Sequence, residues 1–246
     1  MKKKAKIVIS IIVALAIITV GCIWYMADGY KPYYPAMTEF LISNKIVVQT
    51  IQSDTNKTVY TPAESDCGLI FYPGARIEHE AYEPLMKACA VQGIKCILVE
   101  MPLNMAFFNI NAADNIQKMY PEIEHWYIGG HSLGGAMASL YLENNINKFD
   151  GLILLGSYST ADLSAADIDV LSVYGTEDEI MNADKYNANK INLPEDFEEH
   201  IIKGGCHAYF GMYGKQSGDG TPTITNEEQI KYTAQLISKF INESVR

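Results

Sequence analysis

Short, mostly apolar runs punctuate the chain at residues 68–72, 96–100, 125–128, 151–155 and 170–174, the first of them continuous. Runs of that length without a polar face predict strands buried on both sides of a sheet. Between them, residues 80–92, 112–119, 133–144 and 182–189 read as helices. Ala81, Leu85, Met86, Cys89 and Ala90 share one face of the first, and Gly93 ends it. A further strand is expected at 198–202. A terminal helix is expected at 227–241, apolar at Ile230, Ala234, Leu236, Ile237 and Phe240. Near the start, 45–51 and 57–61 are β-rich, with a turn at 53–56. Gln49, Gln52 and Lys57 suit a hairpin at the sheet edge. Strands alternating with helices predict an α/β fold with a mainly parallel central sheet and helices on both faces.

Residues 7–26 break this pattern. They are mostly apolar, carry no charge and follow Lys2, Lys3, Lys4 and Lys6. At about 1.5 Å per residue such a helix crosses the roughly 30 Å hydrocarbon core of a bilayer. The lysines favour the cytoplasmic side, which puts the body outside the cytoplasm at the cell membrane. The alternatives are a cleaved signal peptide, hence a secreted body, or a lipoprotein acylated at Cys22. Residues 28–44, with Tyr30, Pro32, Tyr33, Tyr34 and Pro35, read as a linker or an irregular cap. The expected division is an anchor or signal segment at 1–27, a linker at 28–44 and one domain at 45–246.

Composition narrows the partners. The net charge is −10, and with the four N-terminal lysines set aside the remainder carries 15 basic and 29 acidic residues, or −14. An acidic body lacks the basic surface that nucleic acid requires. The five cysteines form no CxxC pair. Cys67 and Cys96 each open a predicted strand, so they are either packed thiols or a disulfide. No dinucleotide-binding or Walker motif is present, and no metal or organic cofactor is expected.

The candidate chemistry centres on Gly130-His131-Ser132-Leu133-Gly134, a Gly-x-Ser-x-Gly run between a predicted strand and a predicted helix. That is the context of a nucleophile elbow, a sharp turn that lifts the serine hydroxyl clear of the backbone. Together with Tyr-Gly-Thr-Glu-Asp at 174–178 and Gly-Gly-Cys-His at 204–207, it gives the chain a resemblance to the α/β-hydrolases, over residues 67–241. The small single-domain branches, dienelactone-hydrolase-like and carboxylesterase-like, are the nearest in kind.

The resemblance implies a Ser-acid-His order and an α/β-hydrolase fold without a large lid domain. Ser132 is then the nucleophile. His207, just past the last predicted strand, is the base, while His200 lies inside that strand beside Glu198 and Glu199. Asp178 falls on the acid position of Gly-x-x-Asp, with Glu177 and Glu179 as neighbours that could substitute. The Leu133 amide supplies one oxyanion donor. The second is assigned to Ala75, in the loop Pro73-Gly74-Ala75-Arg76, where proline replaces the histidine common in relatives. Arg76 either holds a substrate carboxylate or caps the acidic segment after it. Met105, Phe107 and Phe108 either line an acyl pocket or pack on the core. The expected function is hydrolysis of a small-molecule carboxylic ester through an acyl-enzyme. The alternatives are an acyltransferase using the same triad, or a non-catalytic binding module on a hydrolase scaffold.

Overall fold

A computed structural model describes residues 2–53 and 56–244. Of the turn expected at 53–56, residues 54 and 55 lie outside the described residues. The elements in chain order are α1 (Lys2–Ala27), α2 (Tyr34–Ser43), β1 (Gln49–Ser53), β2 (Lys57–Thr61), β3 (Cys67–Tyr72), α3 (Glu83–Ala90), β4 (Ile94–Val99) and α4 (Ile116–Met119). They continue with β5 (His125–His131), α5 (Leu133–Glu143), β6 (Gly151–Leu155), β7 (Asp169–Gly175), α6 (Ala183–Asn189), β8 (Glu198–Ile202) and α7 (Asn226–Ser244).

One sheet of eight strands runs in the order β1-β2-β4-β3-β5-β6-β7-β8. The β1–β2 and β2–β4 pairs are antiparallel, and the other pairs are parallel. The expected hairpin therefore sits at one edge. Every residue of β3, β4 and β6 is buried, which is why β3 and β6 read as unbroken apolar runs; β4 is interrupted by Lys95, which pairs with Glu122. Alternate side chains serve two cores. Leu69, Phe71, Tyr127 and Leu171 pack with α3 and α7, while Ile70, Tyr72, Ile128 and Leu154 pack with α5.

Segment 28–44 is a cap. Pro35 stands in the first turn of α2, where its missing N–H costs nothing. Met37 and Phe40 are buried in the core that holds α3 and α7. Of the two prolines that make the stretch look irregular, Pro35 instead starts a helix and Pro32 precedes it. The five thiols are free. The register explains why Cys67 and Cys96 do not pair: Cys67 lies opposite Ile94, and Cys96 opposite Leu69. The thiol beside Cys96 is Cys89, on α3.

Residues 156–168 join β6 to β7 without a helix, and no lid subdomain is present among the described residues. α1 contains one stretch, Lys6–Ala27, long and apolar enough to cross a membrane. Residues 6–25 are exposed throughout, so that stretch stands clear of the body.

If α2 belongs to the core, Phe40→Ala removes a buried aromatic ring and lowers the unfolding free energy by about 3 kcal/mol or more. Urea unfolding of the detergent-solubilised chain measures this, and a loss below about 1 kcal/mol contradicts it.

Candidate active site

Three loops at the carboxyl edge of the sheet carry Ser132, Asp178 and His207, and the last two meet directly. Ser132 sits between β5 and α5 at φ 53°, ψ −124°, a strained conformation for a residue with a side chain. The strain is tolerated because the strand and helix close tightly around the turn. A Cβ on Gly134 would collide with the Tyr72 and Pro73 carbonyl oxygens, so only glycine lets α5 start this close to β3. The Ser157 hydroxyl donates to the Ser132 carbonyl at 2.7 Å and fixes the turn from the β6 side.

Asp178 follows β7. Its Oδ1 accepts from the amides of Ile180 at 3.0 Å and Met181 at 2.8 Å. Its Oδ2 lies 2.8 Å from His207 Nδ1, and both side chains are 1% exposed. Glu177 instead accepts from the Thr176 hydroxyl, which separates Asp178 from its acidic neighbours. His207 Nε2 is buried and has no hydrogen-bond partner within the protein. A ring held by a carboxylate on one nitrogen and left open on the other is built to accept a proton. His200 sits on β8 beside Glu198.

The loop bearing His207 is clamped at several points. A Cβ on Gly175 would strike the Gly205 carbonyl, so the ends of β7 and the His207 loop meet backbone to backbone. Buried Gln229 of α7 accepts from the Cys206 amide at 3.0 Å and donates to the Cys206 carbonyl at 2.8 Å. Asp219 accepts from the amides of His207 at 3.3 Å, Ala208 at 2.8 Å and Gly220 at 2.9 Å. Burial pushes the Cys206 thiol up to about 12, which suits a packing role and not a nucleophile.

His131 is a second buried histidine, its ring centre 4.4 Å from that of His207. Its Nδ1 lies 2.7 Å from the Tyr82 hydroxyl, which also accepts from the Gly74 amide at 3.0 Å. The hydroxyl has one proton, and the amide needs none, so that proton goes to His131 Nδ1. Burial first, and His207 second, hold His131 well below the usual histidine range. It stays neutral beside His207. The network ties the 73–76 loop to the β5 strand end.

The amides of Leu133 and Ala75 donate to no other group of the protein among the described residues. Arg76 does not face the site or the acidic segment: its guanidinium binds the carbonyls of Tyr25 and Asp28 at the end of α1. A cavity of about 470 Å³ opens beside Ser132 and is lined by Ala136, Met137, Tyr158, Met181 and Lys185. It does not involve Met105, Phe107 or Phe108. Phe107 and Phe108 are exposed, so neither an acyl pocket nor core packing accounts for them. No group of histidine, cysteine and acidic side chains suited to a metal ion occurs among the described residues.

A family model for the alpha/beta hydrolase family matches residues 68–231. The chain belongs to that family. Two solved structures share the fold. Est1E from Butyrivibrio proteoclasticus is 15% identical, with a TM-score of 0.57 over 80% of this chain and 98% of its own. TT1662 from Thermus thermophilus is 13% identical, with a TM-score of 0.59 over 81% of this chain and 99% of its own. No curated protein matches by sequence.

Asp219, Gln229, Tyr82 and His131 escaped the reading of the sequence. Only His131 is visible there, as the residue directly before the elbow serine. Its depressed proton affinity makes stability pH-dependent. The unfolded chain binds a proton at this histidine near pH 6.5 and the folded chain does not, so stability is present above that pH and falls below it. Between pH 7 and pH 5, His131→Asn should lose less unfolding free energy than the native chain. Equal losses in parallel denaturant titrations would contradict this assignment.

Proposed function

We propose that this hydrolase cleaves carboxylic esters through Ser132, His207 and Asp178. The observation that carries the reading is the buried Asp178–His207 pair, at 2.8 Å, with Nε2 of the same ring unpartnered at the edge where Ser132 is displayed. A buried ion-forming pair costs desolvation, and general-base chemistry gives it a use. In this scheme Ser132 Oγ attacks the ester carbonyl while His207 Nε2 takes its proton. The carbonyl oxygen gains negative charge and is held by the amides of Leu133 and Ala75. Asp178 holds the imidazole in the required tautomer and stabilises its cation. His207 then protonates the departing alkoxide, leaving an acyl-serine. Water, deprotonated by His207, attacks that ester, and Ser132 regains its proton as the acid leaves. His131, neutral throughout, places no competing positive charge beside the His207 cation.

The cavity beside Ser132 falls in the size range of small-molecule sites and takes the acyl or alcohol part of the substrate. No cofactor enters the scheme. On this reading α1 anchors the protein in the cell membrane with its lysines cytoplasmic, and the hydrolase domain of residues 45–246, capped by residues 28–44, lies outside the cytoplasm.

Turnover of p-nitrophenyl acetate by the purified full chain tests the assignments. Ser132→Ala and His207→Ala are each expected to lower kcat by about 10³-fold or more, and Asp178→Asn by a comparable factor through the wrong tautomer. Retention of activity by Ser132→Ala rules the scheme out.

A further inference from the structure

α1 leaves the body at the same sheet edge that carries Ser132, Asp178 and His207, and two loops of that edge grip its end. Arg76, after β3, donates from Nε to the Tyr25 carbonyl and from Nη2 to the Asp28 carbonyl, both at 2.9 Å. Its guanidinium also lies 3.7 Å from the centre of the Tyr25 ring. Asn104, after β4, donates to the Ala27 carbonyl at 3.4 Å and accepts from the Arg76 amide at 2.8 Å. A cation on the final carbonyls complements the helix dipole. Arg76, Leu103 and Asn104 all hold positive φ, at 56°, 53° and 56°. Strained residues gathered at one junction persist where their surroundings over-determine them. These contacts tie the exit of the helix to loops at the same sheet edge as the site.

The chain beyond Asn104 packs on the α5 side of the sheet through Ala106, Ala112 and Ala113. It leaves Phe107 and Phe108 41% and 48% exposed, their ring centres 4.2 Å apart. Trp24 and Tyr25, exposed at the end of α1, are the aromatic residues expected at headgroup level. An exposed aromatic pair three residues from the grip on Ala27 lies near that level.

We infer that Phe107 and Phe108 enter the bilayer that α1 spans, so that the carboxyl edge of the sheet faces the membrane. The site then draws amphiphilic esters from the lipid surface, in place of the soluble esters that an open, lidless site alone implies. The inference rests on α1 as a membrane span and on Ser132 as the nucleophile. The contact is apolar: Glu78 and Glu80 neighbour the Arg76 loop in sequence, and the acidic body gives no attraction to anionic lipid.

The test uses the full chain in phosphatidylcholine vesicles. Phe107→Cys in a Cys22→Ser background, with the other thiols buried, takes an environment-sensitive fluorophore at one site. Blue-shifted emission, quenched by a lipid-borne nitroxide and shielded from iodide, is expected. In parallel, a Phe107→Ser, Phe108→Ser double variant should lose about tenfold in turnover of vesicle-dissolved p-nitrophenyl dodecanoate. Its turnover of p-nitrophenyl acetate should match the native chain. A label open to iodide, or unchanged turnover of both esters, overturns the inference. If the native chain cleaves neither ester, the hydrolase reading fails, and the depth of the label still decides whether this loop meets the membrane.

Discussion

The tightest constraint in the molecule is the approach of α5 to the end of β3. At Gly134 there is no room for a Cβ against the carbonyls of Tyr72 and Pro73. That contact permits the sharp turn that strains Ser132, and it brings the helix's first amide beside the 73–76 loop. The two expected oxyanion donors, Leu133 and Ala75, come from the two sides of this contact. A side chain at Gly134 would separate them, so one steric fact links the sheet order to the candidate chemistry.

Around that turn the protein spends polar groups on rigidity. Asp178 is held by two amides, His207 by Asp178 and the Asp219-bound backbone, and the Cys206 peptide by both ends of Gln229. His131 and Tyr82 join the strand end to the amide of Gly74. A low-dielectric site strengthens each of these bonds and makes an unpaired one costly. Nε2 is unpartnered on both His131 and His207; only His207 has a carboxylate on its other nitrogen, and that ring is the one suited to proton transfer. At the same edge, the Arg76 and Asn104 contacts couple the membrane-length helix to the loops that build the site.

Much of this architecture is legible in the residues. β3 and β6 are buried on both faces, so their sequences are unbroken apolar runs. The elbow announces itself because its glycines are sterically obligatory, and His207 and Asp178 follow from chain order and from the glycines beside them. α2 was obscured because Pro35 reads equally as a breaker and as a helix-starting residue, and only the burial of Phe40 decides between them. Arg76, Asp219, Gln229 and Tyr82 act on partners distant in the chain, and local spacing does not encode those partners. The exposed Phe107 and Phe108 look like core residues by composition, and their meaning depends on where α1 ends.

The central claim is that Ser132 is an activated nucleophile. It is tested most directly by treating the full chain with a fluorophosphonate and mapping the adduct by peptide mass spectrometry. The account predicts a single adduct on Ser132, lost when His207 is replaced by Ala. An adduct on another residue, or none in a folded sample, would contradict it.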